Sequence, residues 1–494
     1  MRLSNITSYC IIGVEAQPIS IEVHISNGLP GLSVVGLPEA AVRESKDRVR
    51  SAILNSQFEF PARRITVNLA PADIPKNGAG FDLPIAIGIL HASGQLECEN
   101  IGNYALIGEL SLSGNIRAVK GLIPVALAAD TAEKQLVAPL SNRGELDLLS
   151  ASNHVLAPTL ADVCGHLNGS FPIESVAKSP QLNPPSGPCL SEVRGQTQAK
   201  RALEIAAAGG HSLLMMGPPG TGKTMLAERL PGILPEISDE SALEVASIYS
   251  VAGLERGHFH QPPYRAPHHT ASPAALVGGG TRPIPGEISL SHRGVLFLDE
   301  LPEFPSKVLE VLRQPLESGE IWVSRAAMKS VFPANFQLVA AMNPCKCGYL
   351  GQARCKCTPD QVRQYQNRIS GPLLDRIDLQ IQVSQPDKST FFERSIEETN
   401  ATVQARIIAA REIQNQRQDT TNASITVKEL ENILNEDGEL KGMAMTASER
   451  MNLSARALHR ALRVARTIAD MDGAEKVQVP HLSEALGYRH KMNH

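Results

Sequence analysis

Residues 217–224 read Gly217-Pro218-Pro219-Gly220-Thr221-Gly222-Lys223-Thr224. This run matches the phosphate-loop pattern G-x-x-x-x-G-K-[ST], and it lies between an apolar strand candidate at 213–216 and a helix-forming run at 225–230. In that setting the backbone N–H groups converge on a β-phosphate, and Lys223 gives a positive charge to the β- and γ-oxygens. The Thr224 hydroxyl is a suitable ligand for Mg²⁺. A glycine-rich turn with a chance lysine would not require the flanking strand and helix, so the sequence predicts a site for ATP and Mg²⁺.

Polar residues follow two further strand candidates. Residues 294–300 read Gly-Val-Leu-Phe-Leu-Asp-Glu, so an apolar run ends in Asp299 and Glu300. Asp299 is placed to hold Mg²⁺ through water, and Glu300 to polarise the water that attacks the γ-phosphate. The alternative is that the two acids only cap the next helix. Asn343 follows a third strand candidate at 337–341 and suits a side chain that orients the attacking water.

The composition is that of an ordinary globular protein. The chain has 494 residues, of which 42% are hydrophobic and 20% charged, and this length suggests roughly two to four domains. The formal net charge is −4, so any nucleic acid has to be bound by local basic patches. We find neither a secretory signal nor an apolar run that could span a bilayer. The eight cysteines do not resemble a disulfide framework. These features predict a soluble cytoplasmic protein with no membrane partner.

A proline-rich segment divides the chain. Residues 178–188 contain four prolines, which cannot continue a helix or a central strand. We predict an N-terminal domain at 1–175, a linker at 176–189, an ATPase core at 190–385 and a C-terminal helical lid at 386–494. Alternating apolar residues at 20–25 and 64–69 predict strands, and 39–54 and 83–91 predict helices, which gives an α+β N-terminal domain. Strands and helices alternate in the core, as in a parallel sheet.

Several longer motifs point to one family. The chain reads Arg265-Ala-Pro-His-His-Thr-Ala-Ser272, Gly278-Gly-Gly, Pro285-Gly-Glu-Ile-Ser289, Asn343-Pro344-Cys345 and Ser370-Gly-Pro-Leu-Leu-Asp-Arg-Ile-Asp378. Together with the phosphate loop and the acidic strand, these motifs resemble the magnesium-chelatase-type AAA+ ATPases, and among them the YifB/ComM subfamily. The resemblance covers essentially the whole chain. It implies an α/β AAA+ P-loop core followed by a C-terminal helical lid.

The same resemblance assigns roles to arginines. Arg376, in Leu-Leu-Asp-Arg-Ile-Asp, resembles the arginine finger that one subunit supplies to its neighbour. Arg456, in Leu-Ser-Ala-Arg-Ala-Leu, resembles the sensor arginine of the lid. Guanidinium groups neutralise γ-phosphate charge in the transition state. Arg368 competes with Arg376 for the finger role, and a surface ion pair is the ordinary alternative for each arginine. A finger supplied in trans implies a ring, which in this family is a homohexamer.

Residues 319–333 read as two β-rich arms around Arg325-Ala-Ala-Met-Lys329. In the AAA+ clade that includes MCM helicases and chelatases, such a hairpin points into the central pore. This resemblance implies that Arg325 and Lys329 contact a DNA phosphate backbone, with sequence-independent and salt-sensitive binding. An ordinary solvated turn with two charges explains the pattern nearly as well. The adjacent His268 and His269 lack metal-ligand spacing, and we expect a second pore or interface insertion there.

Four cysteines are clustered. Cys345, Cys347, Cys355 and Cys357 form the pattern C-x-C-x₇-C-x-C. Four thiolates at about 2.3 Å from one ion would make a tetrahedral structural zinc site. C-x-C is less usual than C-x-x-C, so reduced free thiols remain the alternative. A disulfide is not expected in the cytosol.

The N-terminal domain resembles the Lon-protease-type fold, which is also called ribosomal S5 domain 2-like. The resemblance is carried by residues 76–84 and 107–121. A Lon-like site needs a serine nucleophile and a lysine that removes its proton. The serine position falls on Gly80 and the lysine position near Ile123, and Lys76 and Lys120 lack a serine partner at the expected place. We therefore predict a domain without the catalytic dyad, with a scaffold or DNA-gripping role as in RadA-type recombination proteins.

These patterns and resemblances imply an ATP-driven hexameric motor that acts on single-stranded or branched DNA. The subfamily resemblance implies helicase-like branch migration, which promotes homologous recombination of incoming DNA in natural transformation, with recombination proteins as partners. One alternative is a magnesium-chelatase motor subunit, against which the Lon-like domain argues. The other is an AAA+ unfoldase or chaperone, and for this alternative Gly80 and Ile123 weaken the case for autonomous proteolysis.

Overall fold

The computed structural model describes residues 3–36, 40–76, 78–149, 153–175, 187–279, 283–325, 328–385, 397–435 and 437–489. Most of the predicted proline-rich linker lies outside these residues. The chain forms two compact units, one of Met1–Leu182 with Ala242–Phe259, the other of Asn183–Ser241 with His260–His494. Within the described residues, no helix combines the length and the apolar character needed to cross a bilayer.

The first unit includes most of a later helix at Asp239–Ala252, and its segment Met1–Leu182 forms nine strands and five α-helices, counted over the described residues. They are β1 (Leu3–Ile12), β2 (Glu15–Ser26), β3 (Gly31–Val35), β4 (Arg64–Ala70), β5 (Tyr104–Leu106), β6 (Glu109–Leu110), β7 (Ile116–Arg117), β8 (Gln135–Pro139) and β9 (Val155–Ala157), with α1 (Ala40–Asn55), α2 (Asp82–Ser93), α3 (Leu122–Thr131), α4 (Arg143–Leu146) and α5 (Leu160–Leu167).

Seven of these strands form a mixed sheet in the order β3-β4-β2-β1-β5-β8-β9. β1 and β2 form a long antiparallel pair, whereas β1–β5, β5–β8 and β8–β9 are parallel. Apolar residues alternate along β2, so Ile19, Ile21 and Val23 are all fully buried. They share one hydrophobic core with residues of α1, α2 and α5. Strands and helices are thus combined as an α+β unit.

The returning segment Ala242–Phe259 is anchored at the start of α3. The N–H of Gly121 donates to the Ser250 carbonyl at 3.0 Å, and the N–H of Ile123 donates to the Ser250 hydroxyl oxygen at 3.2 Å. That hydroxyl donates in turn to the carboxylate of Glu145. Ser250 therefore satisfies N–H groups at the start of α3 that have no partner inside the helix.

The second unit contains the remaining strands and helices. They are α6 (Thr197–Gly209), β10 (Leu213–Met216), α7 (Lys223–Arg229), α8 (Asp239–Ala252, which continues into the first unit), β11 (Tyr264–Arg265), α9 (Pro273–Val277), β12 (Gly278–Gly279), β13 (Ile284–Pro285), α10 (Glu287–Leu290), β14 (Val295–Leu298), α11 (Ser306–Val311), α12 (Pro315–Ser318), β15 (Glu320–Arg325), β16 (Met328–Pro333), β17 (Gln337–Met342), α13 (Pro359–Gln366), α14 (Gly371–Leu374), β18 (Leu379–Gln382), α15 (Asn400–Gln418), α16 (Val427–Asn435), α17 (Gly438–Met451), α18 (Ala455–Met471) and α19 (Val479–Gly487).

Five strands of this unit form a parallel sheet in the order β11-β14-β17-β10-β18. Every residue of β14 and of β17 is buried, as expected for a parallel sheet that is covered on both faces. Parallel strands end at the same edge of a sheet, and ligands bind outside that edge. The loops after β10, β14 and β17 therefore bring together the three predicted motifs.

Two further features surround this sheet. β15 and β16 pair as an antiparallel hairpin, from Glu320↔Pro333 to Arg325↔Met328, and lie outside the five-stranded sheet. Among the described residues β18 is the last strand, and α15–α19 follow it. Ala461 and Ile468 of α18 share a hydrophobic core with Leu213 of β10. The helical C-terminal region is thus packed on the sheet as part of the same unit.

Candidate nucleotide site and its surroundings

The loop after β10 holds a buried ammonium group. Gly222 caps the start of α7 with a φ of 81°, in the left-handed region that favours glycine. Lys223 follows, and only 8% of it is exposed. Its ammonium donates to the carbonyls of Gly217 and Pro218 at 2.8 and 2.9 Å, and to the side-chain oxygen of Asn343 at 3.3 Å. Burial lowers the pKa of Lys223, and the nearby carboxylates oppose that shift. The charge is thus held inside the loop beside Asn343.

Two acidic residues, Asp299 and Glu300, directly follow β14 and lie next to this loop. The hydroxyl of Thr224 donates to Oδ2 of Asp299 at 2.6 Å, so two oxygen ligands of the kind that Mg²⁺ prefers lie side by side. Glu300 has a φ of 51°, which is uncommon for a residue other than glycine. Its carboxylate lies 3.4 Å from Nδ1 of His269. The sequence pattern placed His269 in a predicted pore or interface insertion and did not predict its contact with Glu300.

A cavity of about 380 Å³ opens between these groups. It is lined by Pro219, Gly220, Thr221, Gly222, Lys223, Thr224, Met225, Asp299, Glu300, Met342 and Asn343. Its volume lies in the range of small-molecule sites. Backbone N–H groups, an ammonium and paired oxygen ligands surround it, so the residues present fit ATP with Mg²⁺. The structure therefore brings together the predicted residues of the phosphate loop, the acidic strand and Asn343.

The three candidate arginines lie elsewhere. Arg376 has 7% of its side chain exposed, and its guanidinium lies 2.7 Å from Oε1 of Glu317. Arg456 lies 3.7 Å from the same oxygen. Arg368 is half-exposed and pairs with Glu303 at 2.9 Å. Among the described residues that line the cavity there is no arginine, so contact between these groups and a bound phosphate needs a second subunit or a rearrangement.

The predicted DNA-contacting residues lie on the hairpin. Arg325 pairs with Met328, and Lys329 with Ser324, in the backbone register of β15 and β16. The side chains of residues 324–329 lie outside the described part of the structure, as do residues 326–327 entirely. Trp322, which the sequence analysis did not single out, is the only tryptophan in the chain. It lies on β15 with 59% of its surface exposed.

The four clustered cysteines converge. Their Sγ atoms all lie within 4.8 Å of one another, and three of the separations are 3.4, 3.6 and 3.9 Å. Zinc–sulfur bonds of about 2.3 Å in a tetrahedron require sulfur atoms about 3.8 Å apart, so this donor set fits zinc. Backbone hydrogen bonds from Tyr349 and Lys356 lower the pKa of Cys347 to about 6, and the thiolate is the form that binds metal.

The cysteine loop also touches the phosphate loop. Gly348 has a φ of 83°, and a Cβ on it would lie 2.6 Å from Cδ of Pro219 and 3.8 Å from Cγ of Asn343. Only glycine allows such a close approach of two loops. The cluster is therefore placed where its geometry can affect the nucleotide cavity.

The predicted Lon-like positions carry no dyad. A Cβ on Gly80, at the serine position, would lie 3.2 Å from Cγ1 of Ile107. Ile123, near the lysine position, is buried, and its N–H binds Ser250. Lys76 is buried and donates to the carbonyl of Pro71. Neither predicted position offers a hydroxyl or an amine for acyl transfer.

Three family models match the chain. The model described as "Magnesium chelatase, subunit ChlI" matches residues 189–391. The model described as "Subunit ChlI of Mg-chelatase" matches 21–142, and "Magnesium chelatase, subunit ChlI C-terminal" matches 397–489. This family implies ATP hydrolysis with Mg²⁺, and AAA+ proteins of this kind are typically oligomeric.

Individual relatives narrow the assignment. Competence protein ComM of Haemophilus influenzae is 50% identical over 498 residues, which cover 99% of this chain and 98% of that protein. YifB of Escherichia coli is 47% identical over 492 residues, with 99% and 97% coverage. The magnesium-chelatase 38 kDa subunit of Cereibacter sphaeroides is 28% identical over 177 residues, with 31% and 52% coverage. The chain therefore belongs to the YifB/ComM subfamily of magnesium-chelatase-type AAA+ ATPases.

Proposed function

We propose that this protein is a cytoplasmic, ATP-driven hexameric motor on DNA, which migrates branched recombination intermediates and promotes recombination of incoming DNA in natural transformation. One observation supports this most directly. The hairpin of β15 and β16 is inserted between the strand that ends in Asp299 and the strand that leads to Asn343, so it is connected to both sides of the nucleotide cavity. The full-length similarity to a competence protein favours DNA as the substrate.

Within one subunit, five side chains divide the work at the cavity. Lys223 binds the β- and γ-phosphate oxygens, and Thr224 with Asp299 holds Mg²⁺. Glu300 accepts the proton of the attacking water, which Asn343 orients. When bound, Mg²⁺ neutralises charge that develops on the phosphate oxygens. The distances between the side chains, and the strand ends that position them, support these roles.

Arginines complete the site from a neighbouring subunit. Arg376 supplies the finger, and Arg456 the sensor, to a phosphate that the neighbour holds. Their place outside the cavity of their own subunit supports supply in trans. A ring follows, because every subunit then gives arginines to one neighbour and receives them from the other.

The hairpin contacts the DNA backbone. Arg325 and Lys329 bind phosphates, and the exposed ring of Trp322 stacks on bases, a combination that does not depend on sequence. The Lon-like first unit has a scaffold or DNA-gripping role. Zinc in the cysteine cluster has a structural role, because four thiolates close its coordination shell.

The decisive experiment measures ATP turnover with and without single-stranded and branched DNA. We expect DNA to stimulate the wild type, and Lys223→Ala to remove turnover in both conditions. The double variant Arg325→Ala/Lys329→Ala should keep DNA-free turnover and lose stimulation. Trp322 fluorescence gives an independent binding signal, since no other tryptophan contributes. A wild type that neither responds to DNA nor changes its Trp322 emission would refute the motor proposal.

A magnesium-chelatase motor subunit is the second candidate, because the family models carry that description. One of them matches within the first unit, so that unit does not by itself separate this chain from chelatases. The limited coverage of the chelatase subunit does favour the DNA motor. Turnover that responds to a porphyrin with Mg²⁺ and not to DNA would favour the chelatase. Loss of structure in a protein substrate, with no response to either, would favour an unfoldase.

A further inference from the structure

Glu317 meets both arginines that are proposed to act on phosphate. Its Oε1 lies 2.7 Å from NH2 of Arg376 and 3.7 Å from NH2 of Arg456. The first arginine comes from the end of the core and the second from the first turn of α18. One carboxylate oxygen thus serves two cations that are 80 residues apart in the chain (456 − 376 = 80).

Arg376 has this carboxylate in direct contact, and the nearby carboxylate of Glu310 adds negative charge. The side chain of Arg376 is 7% exposed, and a buried guanidinium needs a counter-charge. NH1 donates to the carbonyl of Pro372 at 2.6 Å, but Nε has no hydrogen-bond partner among the described residues. The guanidinium is therefore fixed in position, but one of its hydrogen-bond donors, Nε, is unused. A phosphate, which can accept a bidentate pair of hydrogen bonds, would satisfy it better than a single carboxylate oxygen does.

The carboxylate and a phosphate compete for the same donors. Glu317 is half-exposed, so its carboxylate can move into solvent, whereas the buried Arg376 guanidinium then needs a phosphate in its place. While Arg376 is bound to Glu317, its NH2 group cannot also reach a phosphate of the neighbouring subunit. Arg456 is more than half-exposed and is drawn to the same oxygen. The proposed roles of the two arginines on a neighbour's phosphate therefore require that both leave this contact.

Glu317 is also attached to the hairpin. It lies in α12, which ends at Gly319 with a φ of 70°, and β15 begins at the next residue. The N–H of Gly319 donates to the Pro315 carbonyl at 2.9 Å, and the N–H of Ala334 donates to the Gly319 carbonyl at 2.7 Å. Both ends of the hairpin are thus fastened to the helix that carries Glu317. The residue that carries this carboxylate is three positions from the first residue of the hairpin (320 − 317 = 3).

We propose that Glu317 is a positioning residue that holds Arg376 and Arg456 in the resting subunit. When the two arginines bind the phosphate of the neighbouring subunit, they leave Glu317. Their release frees the base of the β15–β16 hairpin. The exchange couples the state of one nucleotide site to the hairpin of the next subunit. This inference rests on the proposed roles of the two arginines and of the hairpin.

The test compares Glu317→Gln with Glu317→Asp in the full-length protein. Glu317→Gln removes the competing charge at constant size, so we expect DNA-free kcat to rise several-fold while KM for ATP changes little. DNA should stimulate this variant less than the wild type, because Arg376 and Arg456 are already released from residue 317 before DNA binds. Glu317→Asp keeps the charge and should restore most of the wild-type behaviour. The shift of Trp322 emission on addition of a non-hydrolysable ATP analogue should be smaller in Glu317→Gln than in the wild type.

Two controls separate this role from a structural one. Glu303→Gln removes a similarly exposed glutamate that pairs with an arginine, Arg368, which is itself half-exposed, and should leave turnover unchanged. Glu317→Gln/Arg376→Ala should be as inactive as Arg376→Ala, because Glu317 acts through that arginine. A Glu317→Gln protein with wild-type or lower kcat would overturn the inference, and so would equal effects of Gln and Asp. If DNA does not stimulate the wild type but Glu317→Gln still raises DNA-free kcat, the DNA proposal fails and the exchange stands.

Discussion

The residues of the nucleotide cavity and the candidate arginines divide into those whose place the sequence could predict and those it could not. Lys223, Thr224 and Asp299 belong to short motifs whose chemistry needs a fixed spacing after a strand, so each follows from the sequence. The position of Arg376 against Glu317 depends on packing between distant segments, and an acidic residue at 317 has no recognisable spacing to any arginine. His269 beside Glu300 escaped prediction for the same reason.

Arg376→Ala should separate binding from catalysis. We expect the variant to bind ATP with nearly wild-type affinity, because Arg376 does not line the cavity of its own subunit. Its kcat should fall by about 10³-fold or more, which is typical of a missing arginine finger. Equilibrium binding of a fluorescent ATP analogue and steady-state turnover measure the two quantities. Arg368→Ala is the matched control and should retain turnover; the reverse pattern would move the finger role to Arg368.

Asp378 should stabilise the second unit in a pH-dependent way. Burial alone would raise the pKa of its carboxyl group, but hydrogen bonds and charge from His211 and Arg460 hold that pKa well below its usual range. A carboxyl group whose pKa is lowered by folding contributes stability above its unfolded pKa of about 3.9, and this contribution is lost as the pH falls through the folded pKa. Removal of one partner of a buried ion pair typically costs about 3–5 kcal/mol.

Asp378→Asn should therefore lower the thermal midpoint at pH 7, because Arg460 is left with an uncompensated charge at 13% exposure. The difference from the wild type should shrink as the pH falls below about 4. Thermal unfolding followed by circular dichroism across this range measures the effect. Asp360→Asn removes an exposed partner of Arg363 and should change nothing. Equal midpoints for the wild type and Asp378→Asn at pH 7 would contradict the argument.

Among elements, long apolar runs were predictable and very short strands were not. The predicted strands at 213–216 and 295–298 are confirmed as β10 and β14, and the apolar stripe of the lid helix is found in α18. β11 has two residues, and β18 alternates apolar and polar residues over only four positions, so neither is long enough to be distinguished from a loop by its pattern alone. Their pairing with β14 and β10 is decided by the sheet as a whole.

The cysteine loop should hold zinc and support the nucleotide cavity. We expect about one zinc per chain in purified protein, since the four sulfur atoms fit one tetrahedral ion. Cys355→Ser should lose the metal and weaken ATP binding several-fold, because Gly348 of this loop packs against Pro219. Metal analysis and a fluorescent ATP analogue measure the two effects. Cys98→Ser, in the first unit, should keep both properties; metal-free protein with full ATP affinity would assign the cluster to reduced thiols.

At the level of the whole molecule, the proposed catalysis across subunits predicts complementation. Lys223→Ala carries an intact Arg376, and Arg376→Ala carries an intact cavity, so each alone should be inactive. In a mixture, turnover should return at each interface where a Lys223→Ala subunit supplies Arg376 to the cavity of an Arg376→Ala subunit. Such interfaces make up about a quarter of all interfaces in a randomly mixed ring. Turnover measured before and after mixing provides the check. No recovery in mixed assemblies, which differentially tagged subunits would reveal, would place the arginine in its own subunit's site.

The division of the chain into units shows where prediction from the sequence ends. The proline-rich segment suggests one change of unit, but the segment Ala242–Phe259 also belongs to the first unit. The hydrogen bond from Ile123 to Ser250 joins residues 127 positions apart, and no local pattern announces such a contact. The predicted boundaries at 175 and 190 treat the core as one uninterrupted segment, and they remain predictions.

The attachment of Ser250 to α3 limits where this chain can be cut into fragments, in the laboratory or in evolution. A fragment that starts at residue 183 would keep the phosphate loop, but its helix α8 would present Ile248 and Ser250 without the first unit to which they belong. Truncation or domain exchange at the proline-rich segment would thus leave exposed apolar residues of α8 on the ATPase, and these would promote aggregation. The two units are expected to be inherited, expressed and lost together.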